Sequence, residues 1–408
     1  MTGPTAANSR APKPQALWAC ATIIAGTVLG LAGIDLVLPS VPSMPQIFDT
    51  DIATAQLVLA AYVAGSSMGL LAFGALASHF GRRRLFIWSL VAFGGFSLAS
   101  ALVTDIWALI CLRLLQGAAA SGAAVLAPGL IRALFSELGA MRAISAMGSI
   151  ESLVPGLAPI AGAWLYASYD WQASFQLTGV LALAICLAVV LAPSLLPSIG
   201  AKAGDAPSSY IRVARNTTFL RYGLSHALIL GGLLTFVFSA PAVIIQAMGG
   251  TIDDFIIMQA VGVACFIVAA NTTGFLVKRF GTENIITAGT IIACLGAMAL
   301  LVYAATGTSD PAYLPAIFWL LNVGLGIRGG PGFVRALTAS HGDDERASAL
   351  IILATTAIAA IGTAVVAPII MGGLTALTIA TTIIIAPSLV LILAIAPMED
   401  TVERHTKE

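Results

Sequence analysis

Four charged residues fall inside apolar stretches, away from the ends where the other charges sit: Asp35, Arg113, Glu151 and Arg328. A carboxyl group in such surroundings can take up and release a proton, because burial favours its neutral form while a nearby arginine favours the charged one. A guanidinium there must be paired or wetted, since leaving it bare in hydrocarbon costs about 2.5 kcal/mol or more. The chemistry on offer is therefore proton exchange and the holding of a charged or polar group. Covalent and hydrolytic chemistry is not indicated. No nucleophile lies beside a base, and the four histidines form no ligand cluster. The five cysteines (Cys20, Cys111, Cys186, Cys265 and Cys294) show no disulfide or metal spacing. No phosphate-binding G-x-x-x-x-G-K-[ST] loop is present. The expectation is a protein that is not an enzyme and has no catalytic residues, metal or cofactor.

The elements that must position these four residues are helices in lipid. Of 408 residues 59% are hydrophobic and 9% are charged, too little polar surface for a soluble chain of this length. Apolar runs of about 20 residues match the hydrocarbon thickness, and lipid leaves no partners for free backbone groups, so the runs must be helical. Twelve spans can be read, near residues 17–38, 53–77, 85–103, 107–134, 143–168, 172–196, 220–247, 254–277, 285–306, 312–337, 346–372 and 376–397. The gaps between them alternate. One set carries Arg82, Arg83, Arg84, Arg142, Lys202, Arg212, Arg215, Lys278, Arg279 and Arg346. The other carries Asp49, Asp51, Asp105, Asp170, Asp253, Asp254 and Asp310, with no Lys or Arg. Cytoplasmic loops keep the basic residues, so the arginine-rich gaps and both termini are expected on the cytoplasmic side.

The chain also repeats. Phe80-Gly81 matches Phe280-Gly281, Arg132 matches Arg335, and Arg142 matches Arg346, all at offsets near 200 and at equivalent points of the topology. Two parallel six-helix repeats about an axis along the membrane normal follow. The expected organisation is a tail (1–16), an N-terminal bundle (17–196), a cytoplasmic linker (197–219), a C-terminal bundle (220–397) and a second tail (398–408). The fold class is an all-α membrane protein of twelve transmembrane helices in two pseudo-symmetric six-helix bundles.

Motifs sharpen this. The loop after span two reads GALASHFGRRRLF, with Gly74, Ser78, Gly81, Arg82 and Arg83. It resembles the signature loop of the major facilitator superfamily, with Ser78 where the family has Asp; that replacement puts a charge-relay role for this position in doubt. The plainer reading of the arginines is anchoring to the cytoplasmic face. In span four, Arg113, Gln116 and Gly117 match the superfamily's R-x-x-Q-G and share one helix face; an arginine that only ties helices together is the plainer alternative to a functional one. Pro155, Gly156, Pro159 and Gly162 in span five resemble the motif of the drug:proton antiporter branch, although paired prolines also simply kink a helix. Asp35 followed by LVLPSVPSMP, with SAPAVIIQ in span seven, is similar to the bicyclomycin/chloramphenicol-resistance (Bcr/CflA) subfamily.

The resemblance implies proton-coupled export of small amphipathic compounds by alternating access, driven by the proton gradient across a bacterial inner membrane. Asp35 would take part in proton and substrate binding, tuned by Arg113; a helix-end role is the plainer alternative. Glu151 is either a second proton site or a structural partner of Arg132 or Arg142. Tyr62, Arg113, Gln116, Phe236, Phe238, Asn322 and Arg328 are the further candidates for the substrate cavity. Partners are the lipid bilayer, protons and the substrate, with no nucleic acid, and a monomer is expected. The same fold could instead export an endogenous metabolite, run as a symporter, or serve as a non-transporting sensor or scaffold.

Overall fold

The computed structural model describes residues 14–193, 196, 209–307 and 310–398, so both tails and most of the linker expected at 197–219 lie outside the described residues. The described chain is helical, as expected. Among the described residues, eleven helices are long and apolar enough to cross a membrane: Pro14–Ile47, Ile52–Phe80, Ile106–Leu134, Glu137–Tyr169, Gln172–Leu191, Thr217–Ala247, Ile252–Phe280, Thr282–Ala305, Pro311–Ala339, Asp344–Ile369 and Gly373–Ala394. The remaining span of the expected twelve is the helix Arg82–Ser100. Its three leading arginines lower its apolar character. In chain order it is span three, and Ile106–Leu134 is span four.

The two halves match closely. Span two (Ile52–Phe80) and span eight (Ile252–Phe280) each have 29 residues. Each ends on a glycine with positive φ, 79° at Gly81 and 82° at Gly281, a conformation that side-chain-bearing residues adopt only with strain. Their starts are capped alike. Asp51 accepts from the Thr54 backbone N–H at 2.8 Å, and Thr251 forms a reciprocal capping box with Asp254. Asp105 caps span four through Ala108 at 2.8 Å, and Asp310 caps span ten through Ala312 at 2.9 Å. Capping is a second reason for the acidic gaps. Spans two, four, eight and ten all begin at that end, and a carboxylate satisfies free N–H groups and the positive end of the helix dipole.

Several boundaries move outward at the arginine-rich end. Span five, expected from 143, begins at Glu137 on a Ser136 cap, and span eleven, expected from 346, begins at Asp344. Charged residues enter the helices there because ion pairs satisfy them. Two spans are interrupted. Span one stops as an α-helix at Asp35 and continues as a 3-10 turn over Leu38–Ser43, where Pro39 and Pro42 deny the backbone donors an α-helix needs. Span five breaks after Glu151 and resumes at Val154, with Pro155 in its first turn.

Within the first half, spans two and four pack backbone to backbone. A Cβ on Gly65 would overlap the Leu114 carbonyl, and one on Gly117 would overlap that of Tyr62. Gly65→Ala is therefore expected to destabilise the purified protein by about 1–3 kcal/mol, read as a lowered unfolding midpoint in detergent.

Candidate functional site

Arg113 is fully buried and forms the hub of the first half. Its Nη1 donates to the Gly33 carbonyl at 2.9 Å and to Gln116 Oε1 at 2.7 Å, and its Nε donates to the Val58 carbonyl at 3.2 Å. The guanidinium lies 4.2 Å from the Tyr62 ring centroid, a cation–π arrangement. Tyr62 in turn donates to the Gly30 carbonyl at 2.5 Å, and Gln116 donates to Ser97 Oγ at 2.9 Å. These bonds clamp the last turn of span one against spans two, three and four.

Asp35 closes that turn. It is half-buried and has no ion pair or hydrogen bond among the described residues. Arg113 and Asp35 form no ion pair among the described residues: Nη1 and Nε of the guanidinium go to the Gly33 and Val58 carbonyls and to Gln116, and its buried Nη2 has no hydrogen-bond partner. What Arg113 fixes is the backbone two residues before the carboxylate. Gly162, of the antiporter-like motif, closes the same corner, since a Cβ there would overlap the Leu36 carbonyl. Pro155 and Gly156 are exposed, and Pro159 is half-buried.

Glu151 stands at the break in span five, near Thr27 of span one, whose hydroxyl donates to the Ile24 carbonyl at 2.9 Å. It pairs with neither arginine proposed for it. Arg132 is bound to Asp344 at 2.5 Å, and Arg142 lies across Gly274 of span eight. Two residues before Glu151, Ser149 Oγ receives a hydrogen bond from Asn271 Nδ2 at 3.1 Å, joining the two halves near mid-span.

In the second half, Phe236 stacks on Phe318 with ring centroids 5.3 Å apart and is buried in the bundle core. In this conformation it packs, and it lines no open cavity. Tyr62 is likewise covered. Phe238, two residues from Phe236 and so on another helix face, is 60% exposed. Asn322 is buried beside Gly262 and donates to the Phe318 carbonyl at 3.1 Å. Arg328 is fully buried and bonds to Ser225. The structure thus gathers Asp35, Tyr62, Arg113 and Gln116 into one region and leaves Phe236, Phe238 and Arg328 in separate surroundings.

Between the halves, contact is concentrated at the arginine-rich end. Asp343, Asp344 and Glu345, at the start of span eleven, are the residues that sequence reasoning missed. Asp343 accepts from Arg212 of the linker helix at 2.5 Å and from Arg346 at 3.1 Å. Asp344 accepts from Arg132 at 2.5 Å and lies 3.5 Å from Arg82, which also donates to Glu345. All three acids are buried. The bridge is reciprocated, because Arg335, the repeat of Arg132, lies 3.7 Å from Glu137 at the start of span five. Gly74 makes the close approach possible: a Cβ there would strike the Tyr210 hydroxyl and the Glu345 carbonyl. Tyr210 donates to the Leu71 carbonyl at 2.6 Å, and burial holds its phenol up at about 12, so it stays a donor at neutral pH. Arg83 stays within its own half, bonded to the Val189 carbonyl at 3.2 Å. At the aspartate-bearing end, the second segment of span five packs on spans one and six of its own half.

Ser78 also meets the other half, accepting from Arg346 Nη2 at 3.4 Å. The carboxylates that engage the motif arginine come from span eleven, so a neutral side chain suffices here. Ser78→Asp would add a carboxylate facing Arg346 and is expected to strengthen closure by about 0.5–1 kcal/mol. Ser145 of span five packs against Gly330 of span ten, across the two halves; in a cysteine-free background, alkylation of a cysteine placed there should slow about two- to fivefold.

Two pseudo-symmetric helical bundles, joined across one end by ion pairs and carrying buried charges within, define a membrane transporter of the two-bundle alternating-access type. Residues 23–366 match the family model of the Major Facilitator Superfamily, and the chain belongs to that family. It is similar to the chloramphenicol resistance protein of Pseudomonas aeruginosa, with 24% identity over 73% of this chain and 71% of that one. It is also similar to the bicyclomycin resistance protein homolog of Haemophilus influenzae, with 25% identity over 84% and 85%. Among solved structures, the proton:xylose symporter XylE superposes with a TM-score of 0.73 at 14% identity, covering 94% of this chain and 96% of that one. FucP in its outward conformation gives 0.72 at 14%, covering 94% and 100%. At that identity the likeness establishes the fold.

Proposed function

We propose that this chain exports small amphipathic compounds across a bacterial inner membrane in exchange for protons, with Asp35 as the principal proton-exchanging group and Glu151 as a second. The observation that carries the reading is the state of Asp35. It is a half-buried carboxyl at the end of a helix locked by Arg113, with its own charge left unpaired. A committed structural acid would be paired; one that must gain and lose a proton during a cycle is better left free to do so. The relatives named for chloramphenicol and bicyclomycin resistance support export of drug-like compounds. We read the arginine-rich end as cytoplasmic. The halves expected at 17–196 and 220–397 then rock about the contact near Ser149 and Asn271, and the conformation described is the outward-facing one. Protein reconstituted in proteoliposomes should accumulate a phenicol against its gradient when the lumen is acidic. A protonophore should stop the uptake. Uptake that ignores the pH gradient would sink the coupling.

A further inference from the structure

Opening the arginine-rich end does not affect the two halves alike. In the first half, Arg132 pairs with Asp344 of span eleven at 2.5 Å, and Arg82 pairs with Asp344 and Glu345. These carboxylates belong to the other half, and among the described residues neither arginine has an ion pair within its own half. Arg335, the repeat of Arg132, is placed differently. Its Nη1 lies 3.7 Å from Glu137 of the first half, and its Nε lies 3.6 Å from Glu283 at the start of span nine, in its own half. The Arg335 side chain is only 5% exposed, against 51% for Glu137. At the offset of 200 that relates Phe80-Gly81 to Phe280-Gly281, the counterpart of Glu283 is Arg83. The first half thus has an arginine where the second has a carboxylate.

Glu283 is itself fixed by residues of the second half. Tyr222 donates its hydroxyl proton to Oε1 at 2.7 Å, and Arg221 donates to Oε2 at 3.1 Å. Both donors lie in the π-helical turn Leu220–Leu224 near the start of span seven. Arg221 also donates to the carbonyls of Ile392 and Ile395 at the end of span twelve. The Met398 backbone N–H donates to the Tyr222 hydroxyl at 2.9 Å. Spans seven, nine, ten and twelve are tied together at this end through one carboxylate. All of these partners move with Arg335 when the halves part; Glu137 does not. A buried guanidinium that loses its last carboxylate is left desolvated and unpaired, at high cost.

We propose that Glu283 is a positioning residue of the transport cycle: it retains Arg335 when Glu137 departs, so the second half opens with its buried guanidinium still paired. The first half has no such residue, and the lock on this end is one-sided, resting on Arg82 and Arg132. This rests on the reading that the arginine-rich end opens during the cycle. The test is the alkylation rate of a cysteine at Ser145 in full-length, otherwise cysteine-free protein. Glu283→Gln leaves Arg335 with Glu137 in the closed state and with no carboxylate in the open one, so labelling should slow by about tenfold. Arg221 loses a partner as well, but equally in both states. Glu137→Gln removes only the contact across the halves and should speed labelling by about two- to fivefold. A general loosening of the bundle would speed both. Where Glu283→Gln does not fold, Arg335→Gln decides the matter. It should match Glu137→Gln to within about twofold, because each removes the same contact across the halves. An Arg335→Gln rate about ten times that of Glu137→Gln or more would overturn the proposal, since it would mean that opening strands the guanidinium. A Glu283→Gln rate equal to or above wild type would overturn it too. Labelling that answers to none of these changes, nor to Asp344→Asn with Glu345→Gln, would remove the opening reading itself and the proposal with it. Faster labelling in that acid double variant without slowing by Glu283→Gln would leave the opening reading standing and remove the proposal alone.

Discussion

Asp35→Asn is expected to reduce proton-driven efflux to the background of vesicles lacking the protein. The amide is nearly isosteric, and Asp35 makes no ion pair or hydrogen bond among the described residues that its loss would break. The fold and the Arg113 clamp should therefore survive, with the unfolding midpoint within about 0.5 kcal/mol of wild type. What disappears is the exchangeable proton. Counterflow of a neutral phenicol, which needs no net proton movement, should persist and lose its dependence on pH. Asp35→Glu should recover part of the coupled flux. An Asp35→Asn protein that still concentrates substrate in response to a pH gradient would transfer the role to Glu151, and the same pair of assays on Glu151→Gln would then decide it.

The second large effect is conformational. Neutralising Asp344 and Glu345 together (Asp344→Asn with Glu345→Gln) leaves Arg82 and Arg132 facing no carboxylate on span eleven. Removing one side of a buried charge pair costs about 3–5 kcal/mol, because the remaining charge stays desolvated. That penalty falls only on the conformation in which these residues meet. The equilibrium should swing toward the state open at the arginine-rich end by about two orders of magnitude or more. A cysteine at Ser145 in a cysteine-free background reports it as a comparable rise in alkylation rate, with coupled efflux falling in step. Adding Arg82→Gln should restore part of the closure, since it removes one stranded charge. Unchanged labelling in the double variant would show that the acids do not hold this end shut.

Much of the fold was legible because lipid imposes few solutions. Apolar run length, charge alternation and the repeat around Phe80-Gly81 and Phe280-Gly281 each constrain the same topology, and the matched 29-residue helices at Ile52 and Ile252 follow from it. Arg113 and Gln116 were legible as one helix face for the same reason. Contacts that depend on how two helices from different halves meet were not legible. Arg113 looked able to tune Asp35 because opposite charges attract; in the structure it donates to the Gly33 carbonyl at the end of span one, to the Val58 carbonyl within span two and to Gln116. The run Asp343-Asp344-Glu345 was overlooked for a related reason. Acids beside arginines in a loop read as a solvated, self-cancelling patch, and only packing across the halves turns them into partners for Arg82, Arg132 and Arg212. Their one sequence signal was position: three consecutive acids at the start of a helix, on the side otherwise rich in arginine.

The reciprocal bridges carry a further consequence. Arg132 reaches the start of span eleven, and its repeat Arg335 reaches the start of span five. Two copies of a single six-helix chain related by a twofold axis would make this contact twice over, as any isologous interface does. The register of the two bundles is thus written into the surfaces that meet, to which the linker helix adds the Arg212–Asp343 pair and the bond from Tyr210 to the Leu71 carbonyl. Severed within the linker and produced as separate polypeptides, the halves retain every one of these complementary charges except the pairing with Arg212, whose bundle depends on where the cut falls.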